Sequence, residues 1–281
     1  LGRGWLAGGA RGGGGQAPRI AAEGGLALLL VFSGAGLAAM VFWSLAWRWP
    51  YPATLPSSWT LATWSQQAGS LSRTGATTLA LGLLAAMVAL LLTLGCLENE
   101  TRRQMTMSRR ALFLLYLPLL VPQIAFLFGA QVLAIELGFD GSWLALVWGH
   151  LLFVLPYVFL ALGEPYRALD RRYIEIAHCL GAGPARVFWH IKLPLLLRPI
   201  LAALAIGFAV SVAQYLPTIF LGAGRYATLT TEAVTLAGGG DRRVLAATAL
   251  VQALLPTLAF LAALAVPQRP GLFASRPETA A

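Results

Sequence analysis

Glu164–Pro194 reads EPYRALDRRYIEIAHCLGAGPARVFWHIKLP, a charged, Gly- and Pro-punctuated stretch lying between two long apolar runs. Asp170 is suited to cap a short helix that runs to about Leu180, because its carboxylate can accept from exposed backbone N–H groups. Gly181-Ala182-Gly183 breaks that helix, since glycine tolerates the positive φ needed at a helix C-terminus. Pro184 fits the first turn of a second short helix, where its missing N–H costs nothing. Leu193-Pro194 is expected to close that helix, Pro biasing the residue before it away from helix. The stretch therefore reads as helix, Gly turn, helix and return to an apolar span. The alternative to this reading is an ordinary basic cytoplasmic loop that holds its neighbouring spans by charge.

Composition sets the class. Hydrophobic residues make up 58% of the 281 residues and charged residues 11%, against about 25% charged in soluble domains. That balance belongs to a multi-span membrane protein. Six uncharged runs carry it: Gly24–Trp47, Thr74–Leu97, Ala111–Ile135, Gly141–Gly163, Pro199–Gly224 and Val244–Gln268. Each is long enough for the roughly 20 helical residues that cross a hydrocarbon core. Six transmembrane helices, an all-α integral membrane fold, are expected over 24–268. Aromatic residues at Trp43, Trp47, Trp49, Tyr51, Trp59 and Trp64 mark an interface. Residues 1–23, with Gly12–Gly15, read as a flexible segment, and 269–281 as a tail. Leu1 in place of Met points to a fragment, or to one half of a larger fused chain whose linker survives here.

The net charge of +9 is distributed between spans, not gathered into a patch for nucleic acid. With the N-terminus inside, Arg3, Arg11, Arg19, Arg102, Arg103, Arg109, Arg110, Arg167, Arg171, Arg172, Arg186, Lys192, Arg198, Arg269 and Arg276 are cytoplasmic. Arg48, Arg73, Arg225, Arg242 and Arg243 remain outside. This imbalance predicts N-in, C-in, with the Glu164–Pro194 loop in the cytoplasm.

Within the loop, Glu175-Ile176-Ala177, three residues, Gly181, nine residues, then Ile191-Lys192-Leu193-Pro194 follow in order. The spacing resembles the EAA loop of type I ABC-importer permeases, the membrane subunits of binding-protein-dependent uptake systems, and departs from it only at Ile176. The likeness extends over about Ser70–Ala265, with Leu120-Val121-Pro122-Gln123 resembling the Pro-containing start of the family's third span. Ser211-Val212-Ala213-Gln214-Tyr215 resembles a Ser-x-x-Glu-Phe stretch of permeases for oxyanions, iron and thiamine, here with Gln214 and Tyr215 replacing the acid and the Phe.

The resemblance implies a bacterial inner-membrane subunit that forms half of a solute path. It implies a second permease half, a periplasmic solute-binding protein, and cytoplasmic ATPases that themselves bind ATP and Mg. Glu175, Ala177, Gly181, Ile191, Leu193 and Pro194 would form the coupling loop, with Ile191, Leu193 and Pro194 packing the second helix on the membrane core. Gln123, Ser211, Gln214 and Tyr215 would line the path, with thiamine-like solutes first among small polar ones. Polar span residues, Gln131, His150 and Gln252 among them, equally serve to join helices.

Enzymatic chemistry finds no support in the residues. Lys192, the sole lysine, lies outside any P-loop, and His150, His178 and His190 form no i, i+4 pair. Cys96 and Cys179 lack metal-ligand spacing. No catalytic residue, metal or cofactor of this chain's own is expected. The rival readings are an ion-driven secondary transporter, which would want acids deeper than Glu23, Glu98, Glu136, Asp140 and Glu164, a membrane-embedded enzyme, and a structural subunit of a membrane complex.

Overall fold

The computed structural model describes residues 16–49, 53–54 and 56–266. Tyr51, Arg3, Arg11, Arg269, Arg276 and the 269–281 tail lie outside the described residues, as does 1–15 of the N-terminal segment. The first helix, α1 (Gln16–Leu45), begins ahead of the apolar run at Gly24. A two-stranded hairpin follows, β1 (Ala46–Arg48) antiparallel to β2 (Ser58–Trp59), with Ala46 opposite Trp59. Sequence reading does not anticipate this hairpin. It closes the α1 exit beside the start of α2, where the Thr60 N–H donates to the Leu45 carbonyl at 2.8 Å.

Helix α2 (Ala62–Arg103) has 42 residues, about 63 Å at 1.5 Å per residue, twice the thickness of a hydrocarbon core. It runs from the hairpin to the Glu164–Pro194 loop. With α5 (Trp143–Arg167) and α9 (Leu197–Ala213) it forms a mutually packed triad. Lipid tails are as apolar as leucine, so close packing, not apolar burial alone, holds such helices together. Small residues supply it: Ala85, Ala86, Ala89 and Ala203 are fully buried. A Cβ at Gly207 would lie 2.6 Å from Val158 Cγ2, so glycine sets the approach of α9 to α5.

Two of the six expected runs are not single helices. Ala111–Ile135 divides into α3 (Arg109–Leu120) and α4 (Gln123–Glu136), bent by 107° at Val121-Pro122. Pro122 has no N–H to continue the ladder and forces Val121 into extended backbone, ψ 143°. Pro199–Gly224 breaks after α9 at Gln214, which is extended at φ −76°, ψ 116°, and resumes as α10 (Leu216–Gly222) with Pro217 in its first turn. Among the described residues four helices are long and apolar enough to cross a membrane, and up to six spans result if α3 with α4, and Pro184–Leu195 with Leu197–Ala213 (bent by 72°), each count as one.

The remaining helices are α6 (Arg171–Cys179), α7 (Pro184–Val187), α8 (Leu193–Leu195), α11 (Leu229–Ala237) and α12 (Arg242–Ala265). α12 packs on α9, α1 and α11. At the hairpin end, Trp43 stacks on Trp49 with ring centroids 4.6 Å apart, while the Arg242 and Arg243 guanidinium groups lie over Trp43 and Trp47. Asp241 caps α12, and its hydrogen bonds from Arg243 hold its carboxyl below the usual carboxylate range.

Candidate functional site: the Asp170–Pro194 loop and the broken-helix cavity

Asp170 accepts from the Arg172 N–H at 3.0 Å and caps α6. The helix ends at Leu180, and Gly181 takes φ +79°. The Ala182 N–H then returns to the Ala177 carbonyl at 2.9 Å, satisfying a helix-end acceptor. Pro184 opens α7 as its first residue, on the cap of Gly183. The helix–turn–helix reading therefore holds to this point.

It fails at the closing residues. Leu193-Pro194 does not end the second helix; Phe188–Lys192 forms a π-turn that leads into α8, and the chain turns at Leu196. A proline ring clashes with the carbonyl four residues earlier in a regular α-helix. The wider π-turn ahead of Pro194 relieves that clash and lets the helix pass through it.

Of the loop residues singled out from the sequence, Glu175 and Gly181 are exposed, with Ile176, Leu180 and Trp189 exposed around them at 59%, 82% and 62%. Large apolar side chains on a charged loop form a face suited to another protein. Ala177 lies inward, 6% exposed, and so serves packing rather than a low outer surface. Leu193 packs against the core of α2, α5 and α9, Ile191 is half-buried, and Pro194 is exposed. Packing on the membrane core thus fits Leu193 better than Pro194.

The loop's inner side carries an ionic network. Lys192 Nζ lies 2.7 Å from Glu98 Oε2, with side-chain exposures of 4% and 12%. Tyr166 Oη donates to the same carboxylate oxygen, and Arg102 Nε donates to Glu98 Oε1 at 2.8 Å. Two residues on from Glu98, Glu100 Oε2 lies 3.0 Å from Arg167 Nη2, and farther along Arg171 Nη2 donates to Gln104 Oε1 at 2.7 Å. Removing one partner of a buried pair strands the other, at on the order of 3 kcal/mol. Sequence reading missed this network, treating Glu98 as a span-end acid and Lys192 as a cytoplasmic charge of the loop outside any P-loop. The available signal was a lone lysine inside the apolar run Ile191–Leu197, where a free ammonium is untenable.

The second feature is a cavity of about 580 Å³ at the two helix breaks, lined among others by Gln123, Phe153, Tyr157, Gln214 and Tyr215. No charged side chain lines it. Three of the four path residues expected from the sequence meet here; Ser211 does not line it. Ser211 Oγ lies 2.8 Å from His150 Nδ1, and Thr218 Oγ1 lies 2.9 Å from His150 Nε2. The 1%-exposed imidazole thus joins α5, α9 and α10, the joining role foreseen for polar span residues. Gln214 Nε2 donates to the His150 carbonyl at 3.4 Å, but the buried Gln214 Oε1 has no partner. Tyr157 and Phe153 carry no polar-motif signal, and sequence reading passed over them. Among the described residues no group of His, Cys, Asp and Glu could hold a metal ion.

Residues 81–269 match the family model described as binding-protein-dependent transport system inner membrane component. The chain is 49% identical over 183 residues to the inner membrane ABC transporter permease protein YnjC of Escherichia coli K12, covering 65% of this chain and 34% of that protein. It is 29% identical over 142 residues to the molybdenum transport system permease protein ModB of Mycobacterium tuberculosis, 47% of this chain and 54% of the relative. It is 31% identical over 106 residues to the putrescine transport system permease protein PotI of Escherichia coli K12, 36% and 38% respectively. The chain thus spans about a third of the length of the first of these relatives.

Proposed function

Because the chain belongs to the family of binding-protein-dependent transport system inner membrane components, we propose that this multi-pass inner-membrane protein supplies half of a solute path to an ATP-driven importer. The observation that carries the reading is the loop from Asp170 to Pro194. It presents Glu175, the positive-φ turn at Gly181 and the apolar Leu180 outward. On its other side it is tied to α2 by Lys192 and Arg171, while Arg167 at the end of α5 holds the same end of α2. A surface exposed on one side and anchored on the other suits a lever: a cytoplasmic ATPase docks outside, and the spans follow inside.

In this reading the ATPase binds ATP and Mg, a second permease half completes the path, and a periplasmic binding protein delivers the solute. The cavity at Gln123, Gln214 and Tyr215 lies on the path. Its lining of amides and aromatic rings without charge supports a small polar solute. Thiamine-type compounds are the class to screen first, as the Ser211–Tyr215 likeness implies.

Co-purification with the ATPase encoded beside this chain tests the reading, comparing wild type with Gly181→Asp and Glu175→Lys. Wild type is expected to retain the ATPase, and each variant to lose it or to leave its hydrolysis unresponsive to the permease. Variants that assemble and couple like wild type would reduce the loop to a basic connector.

A further inference from the structure

We infer that Lys192 is a positioning residue whose buried pairing with Glu98 makes the coupling loop and α2 move as one body; this rests on the importer reading above. The π-turn Phe188–Lys192 turns Lys192 inward, and the side chain is 4% exposed although it is the chain's only lysine. Its ammonium meets one carboxylate, Glu98, near the loop end of α2, and that carboxylate also accepts from Tyr166 of α5. The ammonium lies 5.7 Å from the Tyr166 ring centre. One carboxylate therefore joins the second half of the loop to two of the three packed helices.

The surrounding groups favour a mechanical part over a proton-carrying one. Lys192 is held in place by Glu98 and Tyr166, and Glu98 by Arg102 in addition. The neighbouring contacts, Arg167 with Glu100 and Arg171 with Gln104, are exposed on the cation side; the former ties the end of α5, and the latter the first half of the loop, to the same end of α2. Exposed pairs exchange readily with water, whereas a desolvated pair with shared hydrogen bonds resists separation. The second half of the loop continues into α9 and packs on the core through Leu193, and Lys192 adds the charged link that fixes it to α2. Movement imposed on the docked face is then delivered to α2 near Glu98, and along that continuous helix to the cavity side of the triad.

The test uses the permease with its neighbouring ATPase in lipid nanodiscs. Cys96 and Cys179 are replaced by Ser, and the exposed, cavity-lining Ala213 is replaced by Cys as a reporter of path opening. Maleimide labelling of that cysteine is followed without nucleotide and with a non-hydrolysable ATP analogue. With Lys192 in place the labelling rate should change about fivefold on adding nucleotide, as a population shift between two path states. Lys192→Met strips Glu98 Oε2 of its ammonium, leaving the carboxylate to Arg102 and Tyr166, and can unfold the site, so Lys192→Met/Glu98→Gln, which buries no lone charge, is the deciding variant.

The expected result is a double variant that retains the ATPase and a thermal midpoint within about 3 °C of the reporter background, yet shows no nucleotide effect on labelling. Lys192→Arg should restore the effect. A double variant that still responds fully to nucleotide overturns the inference while the importer reading stands. Loss of ATPase binding by that variant also overturns it, because the pair would then shape the docking face. Failure of the unmutated chain to bind the ATPase overturns the importer reading, and the inference falls with it.

Discussion

At Gly181 the backbone sits at φ +79°, while a Cβ built there meets nothing within 4 Å. Any cost of a side chain is therefore conformational, not steric, roughly 1 kcal/mol for leaving glycine in the left-handed region. Gly183, two residues on, has φ −71° and equally open surroundings, so alanine fits it without strain. The expected outcome is specific to one amide. Gly181→Ala should speed hydrogen exchange at the Ala182 N–H, which closes the turn onto Ala177, by about fivefold, and Gly183→Ala should leave it nearly unchanged. Equal effects would show that the turn does not depend on the left-handed residue. This turn was readable from letters alone, because glycine chemistry is local. Lys192 was not: its inward aim depends on a π-turn, and nothing in Phe188–Lys192 announces that the helix will widen there.

At the scale of elements, the same distinction explains which helices were legible. α5 and α12 carry long apolar runs opened by N-caps at Ser142 and Asp241, both local signals. Their interior prolines, Pro156, Pro165 and Pro256, do not break them, whereas the chain does break at Pro122 and just ahead of Pro217. The difference lies in what receives the freed backbone groups. At the Gln214 break, Thr230 Oγ1 donates to the Val212 carbonyl and Thr218 Oγ1 donates to the Gln214 carbonyl at 3.1 Å. Thr218 is a local partner, but Thr230 is distant in sequence from the carbonyl it satisfies, and such partners make a break tolerable in an apolar medium. Packing between elements is likewise set by contacts the sequence does not display. Gly207→Ala would place a methyl 2.6 Å from Val158 and 3.2 Å from Val154, overpacking the α5–α9 contact by on the order of 2 kcal/mol. Gly95→Ala on α2 meets nothing and should be neutral or slightly stabilising. Thermal unfolding in detergent should lower the midpoint for the first and not the second. A matching drop in both would locate the effect in the helix backbone instead of the interface.

The whole molecule has two chemically distinct ends. α2 begins beside the β1–β2 hairpin and ends at the Glu98–Gln104 turns, where Arg102, Arg167, Arg171 and Lys192 gather on acidic and amide acceptors. The hairpin end holds the stacked Trp43 and Trp49, with Arg242 and Arg243 over Trp43 and Trp47. Aromatic rings of this kind mark a membrane interface at either face, so they fix depth and not direction. The proposed direction rests on the excess of Arg and Lys in the loop-end segments, the charge expected of a cytoplasmic face, and the importer reading needs that face if an ATPase is to reach Glu175 and Gly181. The prediction is read with single cysteines in the Cys96→Ser/Cys179→Ser background, using an impermeant maleimide on right-side-out and inverted vesicles. Arg103→Cys and Arg172→Cys, both exposed beside the network, should label only in inverted vesicles. Thr54→Cys and Ala237→Cys, exposed at the hairpin end and at the end of α11, should label only in right-side-out ones. The opposite pattern would put the loop outside, beyond reach of any cytoplasmic ATPase, and with it would go the lever that joins Lys192 to α2.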